Sequence, residues 1–142
     1  MEYLSRKLQR LREYDYSTPG AYFVTICTYE KRCVFGKVVP TDEIGEAIIK
    51  YSQTGEIAIH CLLQVEKHFP DCKVDHWVVM PNHIHILLSI GADPERIYPF
   101  PTANVSHIIG TYKAAVSRAC RKANIPYDKL WQASFYDHII RN

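Results

Sequence analysis

The stretch CKVDHWVVMPNHIHILLSI, Cys72 to Ile90, decides how the rest of the chain is read. Two apolar, β-branched runs are separated only by Pro81-Asn82, which predicts an antiparallel hairpin closed by a tight turn. Side chains alternate along a strand, so Ile84, Ile86, Leu88 and Ile90 share one face while His83, His85, Leu87 and Ser89 share the other. The isoleucine face belongs to the core. Both imidazoles are then expected on an uncovered sheet face.

Working outward, TPG at Thr18 to Gly20 makes a turn, and AYFVTICTYE from Ala21 has the β-branched and aromatic content of a first strand. Between Arg32 and Tyr51, CVFGKVV and EAIIKY flank the turn-rich PTDEIG and predict a hairpin excursion. Ser52 is a candidate cap for a helix through His68, with Ile57, Ala58, Cys61, Leu62 and Val65 at helical spacing and Phe69-Pro70 as its stop. GADPERIYPFPT carries three prolines and reads as a loop. Val105, Ile108, Ile109, Tyr112, Val116 and Ala119 then mark a second helix to about Lys122, and LWQASFYDHIIRN a last strand. Leaving the excursion aside, the order is strand, helix, strand, strand, helix, strand. This predicts an α+β fold: a ferredoxin-like four-stranded antiparallel sheet with two helices on one face.

A chain of 142 residues that is 47% hydrophobic can bury one compact core, so residues 1–142 are read as a single domain. The formal charge of +2 does not by itself demand a nucleic-acid partner, and any basic surface must be local. No apolar run is long enough to cross a bilayer as a helix, so no membrane partner is expected. The N-terminal arm, about residues 1–17, is polar and basic rather than a secretory signal, and predicts a cytoplasmic protein. Cys27, Cys33, Cys61, Cys72 and Cys120 are odd in number and lack C-x-x-C spacing; reduced thiols in mostly apolar settings are expected, without disulfides or a zinc knuckle.

Two neutral imidazoles one pleat apart can converge on one cation. A histidine pair without any ligand is the plain alternative. A cupin would need a glutamate a few residues on, and Glu95 lies too far along in the proline-rich loop; a metallo-β-lactamase pattern would continue into Asp-His. A metallohydrolase that recruits Asp75 or His76 is a further possibility.

VVMPNHIHILL, Val78 to Leu88, resembles the His-hydrophobe-His motif of the HUH single-strand nucleases, in the form found in single-tyrosine insertion-sequence transposases. YDYSTPGAYFVTICTYEKRCVFGKV, Tyr14 to Val38, resembles the N-terminal portion of the REP-associated tyrosine transposases, and LWQASFYDHIIRN their last core strand. The resemblance implies a ferredoxin-like fold and cleavage and rejoining of single-stranded or hairpin DNA. It also implies a divalent ion on His83 and His85 and a tyrosine that forms a 5′-phosphotyrosine link. A site completed by phosphate oxygens and an amide suits Mg²⁺ or Mn²⁺.

In that family the nucleophilic tyrosine and an amide ligand sit on a helix after the last strand, in a segment resembling YIxxNP. The sequence reaches Asn142 before such a segment, so the catalytic helix has no counterpart and the catalytic residues stay unassigned. Tyr112 falls on the apolar stripe of the second helix and is expected in the core; one of Phe135 and Tyr136 should face outward. Two readings follow: a transposase-like domain without its nucleophile, or a domesticated or degenerate hairpin-binding module without catalysis.

For DNA contacts, Lys113, Ser117 and Arg121 share a helical face by i, i+4, i+8 spacing, with Arg118 and Lys122 beside them. In the arm, Arg6, Lys7, Arg10 and Arg12 stand together with aromatic Tyr3, Tyr14 and Tyr16, a mix suited to phosphate contacts and base stacking. A homodimer is expected from the resemblance and from a small domain with open sheet edges.

Overall fold

The computed structural model describes residues 20–91 and 104–140. Four strands form the main sheet: β1 (Gly20–Cys27), β4 (Cys72–Met80), β5 (His83–Ile90) and β6 (Tyr136–Ile140), in spatial order β4-β5-β1-β6. Every pairing is antiparallel. Strands β2 (Gly36–Pro40) and β3 (Ala47–Tyr51) make the separate two-stranded excursion, and the helices are α1 (Gln53–Leu63), the single turn α2 (Val65–His68) and α3 (Val105–Lys122). This is the ferredoxin-like α+β arrangement expected from the sequence.

The alternation along β5 holds. Ile84, Ile86, Leu88 and Ile90 are fully buried with Tyr22, Val24 and Ile26 of β1, under Ala58 and Leu62 of α1 and Ile108, Ile109, Tyr112 and Val116 of α3. Both helices therefore cover this one face. Tyr112 ties them together, its hydroxyl donating to the Ala58 carbonyl at 2.8 Å. Burial pushes the Tyr112 phenol well above its ordinary pKa.

Local chemistry explains the helix ends. Ser52 Oγ accepts from Gly55 N at 3.1 Å and Asn104 Oδ1 accepts from His107 N at 2.7 Å, so α1 and α3 each begin with a side-chain cap. At the end of α3, Asn124 turns into the left-handed region at φ 59°, while Ile125 N reaches Cys120 O and Asn124 N reaches Arg121 O. That is a Schellman stop, made by an asparagine, which tolerates this conformation.

The structure corrects three expectations. The helix expected to run unbroken from Ser52 to His68 breaks at Gln64, where bonding tightens to Gln64 N on Cys61 O and Lys67 N on Gln64 O; Val65 turns inward and Leu63 is left exposed. The last strand is shorter than LWQASFYDHIIRN. Leu130 and Trp131 tuck into the core, the indole N–H donates to Lys113 O and Ser117 Oγ, and Ser134 turns at φ 66° before β6 begins. Finally, the thiols are free but only Cys72 and Cys120 are buried, whereas Cys33 is exposed. Of the adjacent aromatics, Phe135 is buried and Tyr136 faces out.

Candidate nucleic-acid and metal site

His83 and His85 project from β5 on the face away from the helices, and both are partly buried. Their rings meet edge to face with centroids 4.7 Å apart. Each ring is held through one nitrogen. Nδ1 of His83 lies 2.7 Å from Asn82 Oδ1, and Nδ1 of His85 lies 2.9 Å from Thr25 Oγ1 on the neighbouring strand β1. An amide oxygen only accepts, so His83 Nδ1 carries the proton and Nε2 keeps its lone pair. Phe23 stacks on the outer face of His85 at 5.2 Å. The Thr25 hydroxyl can accept from His85 Nδ1 as well as donate to it, so both rings have the kind of Nδ1 partner that supports a metal-binding imidazole.

The pKa of His83 is lowered, first by burial and then by the charges of His85 and Lys31. It stays neutral, and able to ligate, below the usual imidazole range. Lys31 comes from the turn after β1, in which Glu30 and Lys31 both adopt positive φ, 53° and 54°. This turn wraps the β4–β5 hairpin: Thr28 N and Oγ1 both donate to Asn82 O, Asn82 Nδ2 donates to Lys31 O at 3.3 Å, and Phe35 N donates to Pro81 O at 3.0 Å.

The pair fits a divalent ion that takes its remaining ligands from elsewhere. Among the described residues no group of three His, Cys, Asp or Glu side chains converges on a point. Asp75 sits at a bulge in β4 and is bonded by Ser89, and His76 stands opposite Leu87, so the metallohydrolase alternative finds no assembled third ligand. Beside His85 the open face carries an apolar cleft of about 200 Å³ lined by Phe23, His76, Trp77, Val78, His85 and Leu87. Tyr136, the register partner of Thr25 on β6, is exposed and accepts a hydrogen bond from Gln132 Nε2.

The expected DNA contacts divide. Arg6, Lys7, Arg10 and Arg12 lie outside the described residues. Arg118, Arg121 and Lys122 are exposed on α3. Lys113 is not a solvated member of that face: its ammonium donates to Gln132 O and Ser134 O, and Ser117 is engaged by Trp131. Because α3 covers the isoleucine face, its basic residues lie across the sheet from the histidines.

The cation near His83 is one that sequence spacing did not single out. Lys31 is close enough to influence His83, and Arg32 and Lys129 both stand over the Tyr29 ring, at 5.6 and 4.8 Å. Asn82, Thr25 and Lys31 were missed because their roles depend on register and on a turn that joins distant parts of the chain. Among the described residues no helix is long and apolar enough to cross a membrane.

No protein-family model matches the chain. It is 30% identical over 150 aligned positions to an uncharacterized protein of Haemophilus influenzae strain Rd, covering 96% of this chain and 79% of that relative. Among solved structures, the REP-associated tyrosine transposase bound to a REP hairpin superposes with a TM-score of 0.62 at 19% identity. The superposition covers 94% of this chain and 62% of the transposase chain, so the present chain spans less than two thirds of that protein. The chain belongs to one family with the Haemophilus influenzae protein, and its fold is that of the REP-associated tyrosine transposase.

Proposed function

We propose that the chain is a transposase-like DNA-processing domain that holds single-stranded or hairpin DNA on the open sheet face and acts in metal-dependent strand cleavage and rejoining. The observation that carries this reading is the histidine pair: Nδ1 of each ring is anchored and the rings stand 4.7 Å apart on the uncovered face. His83 and His85 would hold Mg²⁺ or Mn²⁺, with phosphate oxygens of the DNA among the remaining ligands; the ion would supply Lewis-acid stabilisation of charge on the scissile phosphate. Lys31 adds positive charge beside His83. Exposed Phe23 and Tyr136 offer stacking surfaces for unpaired bases. Arg6, Lys7, Arg10 and Arg12, with Arg118, Arg121 and Lys122, are the proposed contacts to the DNA backbone. Such a protein would work in the cytoplasm.

A second reading, hairpin recognition without cutting, draws on Tyr112, which is buried with its hydroxyl donated to Ala58 and so is not placed to attack a phosphate. One experiment separates the two. A labelled hairpin with a single-stranded flank should bind more tightly than the blunt duplex of the same sequence at matched salt, because stacking needs unpaired bases. Cleavage of the flank with Mn²⁺ present supports the enzyme; tight binding without cleavage supports the module. Equal affinity for hairpin and duplex would count against both.

We also propose a homodimer, since β4 and β6 are the outer strands of the sheet and offer edges for pairing. Light scattering at high concentration should then give twice the chain mass, and a monomer at all concentrations would refute it.

A further inference from the structure

The turn after β1 has an unusual construction. Two successive non-glycine residues, Glu30 and Lys31, occupy the left-handed region, which costs energy for any side chain with a Cβ and persists only where the surroundings impose it. What the turn gains is a set of contacts with Asn82: the Lys31 carbonyl accepts from Asn82 Nδ2, while Thr28, fully buried, donates its backbone N–H to the Asn82 carbonyl and shares its hydroxyl proton between Arg32 O at 2.7 Å and Asn82 O at 3.1 Å. The Asn82 side chain is thereby fixed in sense. Its NH₂ is committed to Lys31, so its Oδ1 is the end that faces His83 Nδ1 at 2.7 Å. A flipped amide would set N–H against the protonated Nδ1 or force the proton to Nε2, where it would block a metal.

We infer that Asn82 is a positioning residue: clamped by the strained turn at Glu30-Lys31, it fixes His83 in the tautomer and orientation that leaves Nε2 free. This rests on the metal reading of the histidine pair, but its first consequence is present without metal. Free imidazole favours the proton on Nε2; here Nδ1 should hold it. Asn82 is therefore more than a turn former in Pro81-Asn82, and the signal for its role is a contact 51 residues away in sequence.

The test uses the full chain and three proteins: wild type, Asn82→Ala and Asn82→Asp. Long-range proton–nitrogen NMR of the metal-free proteins at pH 7.5 reads the His83 tautomer directly. Wild type should show the proton on Nδ1, Asn82→Ala should revert toward the mixture of free imidazole, and Asn82→Asp, which keeps an acceptor, should restore the Nδ1–H form. Mn²⁺ affinity should fall about tenfold in Asn82→Ala, the lower end of what removing a ligand's supporting partner costs. A circular dichroism spectrum and melting curve like those of wild type would show that the change is local. An unchanged His83 tautomer in Asn82→Ala overturns the inference. A wild type with Nδ1–H on His83 but no Mn²⁺ binding instead overturns the metal reading, leaving the brace itself supported.

Discussion

Replacing His83 by alanine should abolish Mn²⁺ binding while leaving the domain folded. In the wild type, titrated Mn²⁺ is expected to broaden the imidazole signals of His83 and His85 together, ahead of His60, His68, His107 and His138. Among the described residues no third His, Cys, Asp or Glu side chain joins the two imidazoles, and removing one leaves a single monodentate nitrogen, which cannot compete with water for a hard cation. The affinity loss should exceed about 100-fold, beyond the 10- to 100-fold typical of a supporting residue. Binding at His83 should also resist acid better than an ordinary histidine would allow, because burial and the neighbouring charges already disfavour its protonated form. The fold should survive because the side chain projects from the uncovered face, and the contacts it surrenders are those with Asn82 and the His85 ring; a loss of about 1 kcal/mol is expected. If the variant unfolds, or if Mn²⁺ first perturbs another histidine, the pair is structural and the nuclease reading loses its physical basis.

Much of this was legible in the residues. The alternation from His83 to Ile90 identified both the buried face and the two imidazoles opposite it, because a strand's period of two assigns a face without knowledge of any partner. The order of periodic segments similarly led to the sheet topology. Tyr112 could be assigned to the core from its place on the apolar stripe of α3, and one of Phe135 and Tyr136 had to face out.

What periodicity does not report is the identity of a neighbour. Lys113 sits at the expected helical angle to Arg121, yet the returning segment around Trp131 covers its end of the helix and takes its ammonium for two carbonyls. Thr25 became a partner of His85 only through the β1–β5 register, and Lys31 reached Asn82 only through a turn in a backbone conformation that the sequence EKR does not signal. The same limit hides a close approach at a glycine inside a helix.

Gly55 lies in the first turn of α1, and by helix propensity alone its replacement by alanine should stabilise the protein by about 1 kcal/mol. The opposite is expected. A Cβ on Gly55 would stand 2.0 Å from the Phe35 carbonyl oxygen and 3.1 Å from Tyr51 Cδ1. That oxygen has little freedom to retreat, since it accepts from Ser52 N at 2.9 Å while Phe35 N is bonded to Pro81 O and the Phe35 ring is fully buried. Helix and loop must therefore separate, breaking the cap at Ser52 or shifting the turn that leads into Asn82 and His83. Overpacking of this severity should cost about 3 kcal/mol net, the upper end of the usual range, and lower the melting temperature by about 10 °C. Gly110→Ala is the control: it also lies inside a helix, α3, but has nothing within 4 Å of its would-be Cβ, and it should gain the 0.5–1 kcal/mol that propensity promises. Opposite signs for these two substitutions would show that α1 rests against the loop carrying Phe35. Stabilisation in both would mean that α1 does not press on that loop, and that the histidine site is not mechanically coupled to the first helix.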